Sequence, residues 1–311
     1  MHLPPDVKPP RPSPPISRDT LRGVGWLERL RGSFRRAPAP RLESAGKTFL
    51  SGRCNVCGLG TRFLYDDPAL HRESLVCVHC LTTSRYRSMA RGLLKAFDEL
   101  AGVRAGSLEE LPRGRRRRGL ALYDTQVAFD AGGSAYPVPT LLSRCRWLDL
   151  SVSTWKPALP AGQVLAPAVT NQNLERLTFP DARFDVVLTS DVLEHVRLEA
   201  RAHREIRRVL KPGGVYVFTV PHFRDRPTIE RVRIRDEGDP SRDEDVLPRE
   251  YHGDANSEEG RALAYRSFGI DLDEKLRRLG FEVDYEKRDF PELGILNTEL
   301  FFCRVVGPAA P

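Results

Sequence analysis

No stretch of this 311-residue chain approaches the ~20 consecutive apolar residues that a membrane-spanning helix needs, and its first residues lack the apolar core of a secretory leader. A transmembrane role is therefore not expected, and the chain is expected to work in the cytoplasm, where thiols stay reduced. The first 46 residues also lack what a hydrophobic core requires. They read PPDVKPPRPSPP and APAPR, with nine Lys/Arg against four Asp/Glu, so a disordered, basic Pro/Arg-rich tail is expected there. A short amphipathic pattern, with Leu21, Val24, Leu27 and Leu30 on one side, is marginal as an isolated helix. A second basic block, Arg113 and Arg115 to Arg118, carries no interleaved aromatic, which argues against base stacking on a nucleic acid. The rest of the chain is nearly balanced in charge.

What is present starts with cysteine. Four of the six cysteines form two CxxC pairs, Cys54-Asn-Val-Cys57 and Cys77-Val-His-Cys80, separated by 19 residues. Two residues between sulfurs let both thiolates of a pair reach one ion, and two pairs complete a tetrahedron. A structural zinc ribbon is expected over 47–105. With four thiolates the coordination shell is closed, and His79 inside the second pair is expected to be a bystander. Gly58 and Gly60 follow the first pair, where a tight turn needs positive φ. The second pair runs into a helical pattern, Ser84 to Leu100, expected to pack the module onto the main domain. Cys145 and Cys303 read as core residues.

From Gly119 onward short apolar runs alternate with helical patterns, which points to an α/β fold with a parallel sheet. Strands are expected at Gly119–Thr125, Cys145–Leu150, Phe184–Thr189, Val215–Val220, Phe281–Tyr285 and Leu300–Val306. Helices are expected at Glu199–Leu210, stopped by Lys211-Pro-Gly-Gly214, and at Phe268–Leu279. The charged stretch 223–266 is too long for an idle loop inside a compact domain and is expected to form a substrate lid.

Two segments carry a family resemblance. Leu177-Thr-Phe-Pro-Asp181 with Phe184-Asp-Val-Val-Leu-Thr-Ser-Asp-Val-Leu-Glu-His-Val196, followed by Arg204-Glu-Ile-Arg-Arg-Val-Leu-Lys-Pro-Gly-Gly214 and Val220-Pro221, resembles class I S-adenosylmethionine-dependent methyltransferases of the type 11 kind. Glu250-Tyr-His-Gly-Asp254, Phe268-Gly-Ile-Asp271 and Leu279-Gly-Phe281 resemble a bacterial subgroup with an N-terminal cysteine module. The resemblance implies a Rossmann-like seven-stranded sheet over 119–306 whose last strand is antiparallel. It also implies S-adenosyl-L-methionine across the carboxyl ends of the first strands.

Mapped residue by residue, the resemblance puts Asp124 and Gln126 at the end of the first strand. No GxGxG follows them, and the nearest glycines are Gly132 and Gly133, so a remodelled cofactor loop is expected. Asp149 is expected to hold the ribose hydroxyls, and Gln172 and Asn173, beside Asn171, to meet adenine. Ser190 and Asp191 are expected at the methyl site, with Glu194 and His195 one turn on. If the acceptor is protonated a base is needed, and the candidates are His195, His222, His252 and Asp191. The expected acceptor is a small molecule or glycan. RNA or protein methylation is a less favoured alternative, and a catalytically silent interaction protein is a third.

Overall fold

The apolar runs of the sequence become neighbouring strands of one sheet. The computed structural model describes residues 48–65, 71–114, 118–125, 138–253 and 260–307. The expected tail (1–46), Arg115 to Arg117, Gln126, Gly132 and Gly133 lie outside the described residues.

Four strands run parallel at the centre: β4 (Leu120–Asp124), β5 (Leu148–Thr154), β8 (Phe184–Ser190) and β9 (Leu210–Thr219), with β7 (Val169–Asn171) parallel beyond β5. β4 and β8 are buried along their whole length. A strand covered on both faces has no need to alternate with polar residues, and the runs LALYD and FDVVLTS do not. β17 (Leu300–Val305) joins β9 antiparallel, and β16 (Phe281–Glu286) closes that edge. The order is β16-β17-β9-β8-β4-β5-β7-β6.

The sheet thus has eight strands rather than the seven expected. Val164–Ala166 (β6) doubles back antiparallel on β7 and adds an edge. The second strand also begins later than expected. Cys145 to Trp147 form a turn closed by Leu148 N–H donating to Cys145 O at 2.9 Å, and the strand continues to Thr154.

On one face lies the long helix α2 (Ser84–Ala101), as its spacing predicts, with Met89, Leu93 and Phe97 against Val186, Val215 and Val217. Its close approach depends on Gly92. A Cβ there would stand 2.7 Å from Val217 Cγ1 and 3.1 Å from Leu300 Cδ2. The same apolar cluster continues into the cysteine module, built from β1 (Thr48–Arg53), β2 (Gly60–Tyr65), α1 (His71–Ser74) and β3 (Val76–Cys77). A short helix α3 (Val138–Leu142) covers the same face near β5.

The opposite face holds α4 (Glu199–Val209) and α5 (Asp271–Arg278) over Phe184, Tyr216, Phe218 and Phe301. α4 ends one residue before the expected bound, and Gly213 takes φ +73° inside β9, where its register against β8 shifts. α5 is shorter than 268–279 because Phe268 is still extended, bridging His222.

The insertion 223–266 folds, where described, into paired short strands: β10 (Ile229–Glu230) with β15 (Arg266–Ser267), β11 (Val232–Arg233) with β12 (Glu244–Asp245), and β13 (Glu250–Gly253) with β14 (Arg261–Ala264). Buried Arg266 pins it. Its guanidinium donates to the carbonyls of Leu193 (3.3 Å), Val196 (2.6 Å) and Arg197 (2.9 Å), and Tyr265 N–H donates to Glu194 O at 2.8 Å.

One buried group makes the fold acid-sensitive. His203 of α4 is enclosed beside Tyr216 and Phe218, and neither ring nitrogen has a hydrogen-bond partner among the described residues. Burial pushes its pKa down to about 4. The unfolded histidine accepts a proton below roughly pH 6.5 and the folded one does not, so stability falls as pH drops from there toward 4. Urea titrations between pH 7 and 5 should show a loss approaching about 1.4 kcal/mol per pH unit, and His203→Leu should flatten it. An unchanged slope in that variant would place the sensitivity elsewhere.

Candidate active site

The carboxyl ends of β4, β5, β7 and β8 converge on a cavity of about 410 Å³, within the range that holds a cofactor-sized ligand. Thr125, Thr154, Trp155, Gln172 and Asn173 line one end, and Asp191, His195, Gly253 and Tyr265 the other. A larger cavity of about 720 Å³ lies between α4, α5 and the insertion. Open α/β sheets bind their ligands beyond the strands' carboxyl ends, so chemistry is assigned to the smaller cavity.

Asp191 terminates β8 with φ +49°, a strained value for a non-glycine residue and one that clusters at functional positions. Its carboxylate is gripped by Arg72 of α1 through two hydrogen bonds, Nη1 at 2.5 Å and Nη2 at 2.7 Å. Thr219 Oγ1 adds a third at 2.8 Å, and Arg85 Nε stands 3.4 Å away. Burial opposes ionisation, but the Arg72 and Arg85 charges outweigh it and hold the carboxyl well below the usual range. Asp191 is therefore held toward its anion, a setting that makes it a weak proton acceptor. Arg85 also donates to Ser190 Oγ, and Glu73 and Glu299 balance the two guanidinium groups.

His222 does not line this cavity. It is buried against Tyr285 and Phe301, its Nε2 bonded to Gly269 O at 3.0 Å, and burial lowers its basicity. That placement corrects the catalytic expectation. Asp149 is the second residue of β5, at the amino end, and pairs with Arg183 at 2.5 Å. It lies a strand's length from the cavity, so the ribose expectation is also corrected. The carboxyl end of β5 carries Ser153, Thr154 and Trp155 instead, and Trp155 is 43% exposed beside the cavity.

Asp124 ends β4 and is buried. Gln172 lines the cavity, but its amide is engaged with Thr178, accepting from the backbone N–H at 3.0 Å and donating to Oγ1 at 2.8 Å. Asn173 caps its own turn through Glu175 N–H at 2.9 Å, and Asn171 pins the loop through four bonds to Lys156, Leu159 and Pro160. Of the adenine candidates, Asn173 keeps its amide nitrogen for a ligand.

Two of the expected histidines do come together. His195, in the turn Leu193–His195, and His252 of β13 stand with ring centroids 4.9 Å apart, edge to face. Beside both is Glu194, fully buried, with neither carboxyl oxygen hydrogen-bonded among the described residues. Burial, and then the nearby Asp191 charge, push its pKa well above the usual carboxylate range.

The four cysteines also converge, with Sγ atoms within 4.8 Å of one another and none in a disulfide. Cys54 and Cys80 are 3.6 Å apart and Cys57 and Cys77 4.0 Å. A zinc tetrahedron with bonds of about 2.3 Å has edges of about 3.8 Å, so the set fits that ion. The pairs have matching turns: Gly58 N–H donates to Cys54 O and Leu81 N–H to Cys77 O, with φ +74° and +60°. His79 is exposed and outside the set.

Arg87 gives a second argument. It is fully buried and donates to the carbonyls of Leu75, Thr82 and Gly294, with no carboxylate ion pair among the described residues. The cysteines are the groups whose charge favours its cation. Four thiolates around a divalent ion carry a net double negative charge that would compensate it.

Arg72, Arg85 and Trp155 were not legible as site residues. Nothing in their spacing marks them, and only the fold brings α1 and α2 to the sheet's edge.

Among known families, residues 131–218 match a model described as a methyltransferase domain. A dimethylglycine N-methyltransferase of Parasynechococcus marenigrum (strain WH8102) is 33% identical over 81 residues, 24% of this chain and 29% of that protein. A "Probable S-adenosylmethionine-dependent methyltransferase" of Mycolicibacterium smegmatis (strain ATCC 700084 / mc(2)155) is 41% identical over 54 residues, 17% of this chain and 21% of that protein. The chain thus matches less than a third of the length of either relative. A solved structure, the 1,6-didemethyltoxoflavin-N1-methyltransferase of Burkholderia thailandensis with S-adenosylhomocysteine, overlaps 61% of this chain and 72% of that one, at 17% identity and a TM-score of 0.34. No helix among the described residues is long and apolar enough to cross a membrane. The family match spans the cavity's β5, β7 and β8 walls, and with the two relatives it supports an enzyme of the methyltransferase class.

Proposed function

We propose that this chain transfers a methyl group from S-adenosyl-L-methionine to a small-molecule or glycan acceptor held between the sheet's carboxyl edge and the insertion 223–266. The observation that carries the reading is the cavity where the matched segment meets the ends of β4, β5 and β8. Among the described residues no side chain fills it.

In this reading the adenosyl end lies toward Thr154, Trp155 and Asn173, and the sulfonium toward Asp124, Ser190 and Asp191. A fixed anion beside a sulfonium stabilises its charge, and the Arg72 grip keeps Asp191 ionised and oriented. Methyl transfer is an in-line displacement, so holding the acceptor at the sulfonium carbon is the main demand on the protein. The acceptor end is bounded by His195, Gly253 and Tyr265, with His195 and His252 available for proton transfer if the nucleophile carries one.

The four-cysteine cluster enters the proposal as a structural zinc site held by Cys54, Cys57, Cys77 and Cys80. Zinc there would fix the module that carries Arg72. Closed by four thiolates, it would leave no position for substrate.

Two outcomes test these readings. Calorimetry with S-adenosylmethionine and S-adenosylhomocysteine should detect binding of both, weakened about tenfold by Trp155→Ala, the loss of roughly one aromatic stacking contact. Absence of binding by the metal-loaded chain would favour a silent scaffold. The cysteine variant Cys57→Ser should lose zinc by elemental analysis and melt well below the parent, since structural zinc contributes folding free energy directly. A parent chain purified without zinc, melting as high as the zinc-loaded one, would overturn the zinc assignment.

A further inference from the structure

Glu194 is a buried carboxyl group with no hydrogen-bond partner among the described residues. Such a group is costly unless something compensates it, and the groups that face it are two imidazoles. His195 Nε2 is 3.7 Å from Glu194 Oε1, and His252 Nδ1 is 3.9 Å from the same oxygen. The three ligand atoms lie within 4.8 Å of one another.

The outer nitrogens explain why the inner ones converge. His195 Nδ1 stands 2.9 Å from Leu263 O, and a backbone carbonyl can only accept, so Nδ1 carries the proton and Nε2 presents a lone pair. His252 Nε2 stands 3.1 Å from Glu250 Oε1, which fixes its proton outward and leaves Nδ1 facing Glu194. Each ring is thus set by an outside acceptor in the tautomer that a metal-ligating histidine adopts, one through a carbonyl and one through a carboxylate. Glu250 is in turn held by Arg231.

We propose that Glu194, His195 and His252 form a second metal site, for a divalent transition cation, at the acceptor end of the cavity. Two imidazoles and one carboxylate are a donor set for such ions rather than for calcium or magnesium. Bonds of about 2.1 Å put neighbouring ligands about 3.0–3.4 Å apart, so the two histidine–carboxylate separations of 3.7 and 3.9 Å shorten by roughly half an ångström around an ion. Three protein ligands leave positions open. His195 and Gly253, the neighbour of His252, both line the cavity, so those positions face it. An acceptor offering one oxygen, or two adjacent ones as in a vicinal diol, is the ligand class that would complete the shell. This last step rests on the proposed methyl transfer, whereas cation binding does not.

The site joins two parts of the chain. Glu194 and His195 come from the turn after β8, and His252 from the insertion, which Arg266 pins to that turn. A cation here would tie the insertion to the sheet's edge from inside.

Manganese(II) is the probe, because thiolates of the cysteine cluster compete poorly for it. With the zinc-loaded chain, electron paramagnetic resonance of free manganese should report one ion taken up per chain. His252→Ala and Glu194→Gln should each weaken uptake at least about a hundredfold, and Glu250→Gln, which only removes the outer anchor, about tenfold. His252 lies on a surface hairpin, so its variant keeps the test valid if the Glu194 variant fails to fold, as circular dichroism would reveal. S-adenosylhomocysteine affinity of His252→Ala should match the parent, which separates failure of this site from failure of the cofactor reading. No manganese uptake by the parent, or uptake by His252→Ala equal to the parent, would overturn the site and leave the trio as a proton-transfer cluster.

Discussion

The contact on which the rest of the molecule depends is the twofold hydrogen bond between Arg72 and Asp191. It joins the cysteine module to the end of β8, 119 residues away in sequence. Both partners are largely out of water, with 16% and 18% side-chain exposure, so neither charge is screened as a surface pair would be. A buried charge left without its partner is costly, and the pairing therefore specifies where the module docks more than it adds net stability. Glu73, Arg85 and Glu299 extend the contact into a network of alternating charge.

From that contact the cavity acquires its character. Its wall carries Asp191, a carboxylate held toward its anion, and beside it His195, next to the buried carboxylate of Glu194 and to His252. Two acids three residues apart are thus pushed in opposite directions, Asp191 toward its anion by guanidinium neighbours and Glu194 toward its neutral form by burial and by Asp191 itself. Environment rather than residue type sets the division, as is usual where titratable groups are packed together.

Much of the architecture was legible in the residues. FDVVLTS and LALYD announce strands buried on both faces because they do not alternate, and the paired CxxC spacing brings four thiols together as expected. Where reading failed, the cause was a tertiary contact or a turn. Asp149 looked like a strand's end because the apolar run CRWLDL contains it, yet Cys145 to Trp147 form a turn and the strand continues through the less apolar SVST. His222 looked catalytic from its place after β9, but the rings of Tyr285 and Phe301, more than sixty residues away, enclose it. The edge strand β6 is three residues long and amphipathic by neither period, so no pattern could mark it. Arg72 is one arginine among many, and only its contact with Asp191 singles it out.

Helix α2 begins with two arginines that face different tasks. Arg85 reaches Ser190 and Glu73, while Arg87, two residues further and on another side of the helix, fills the space beside the thiols and lies 4.5 Å over the Phe63 ring. A single turn of helix therefore works as a bracket with one arm at each centre. Because Gly92 seats the helix shaft directly on β9, the bracket has no slack. A displacement at the sulfur end reappears at the cavity, and the two centres cannot drift apart independently as the sequence changes.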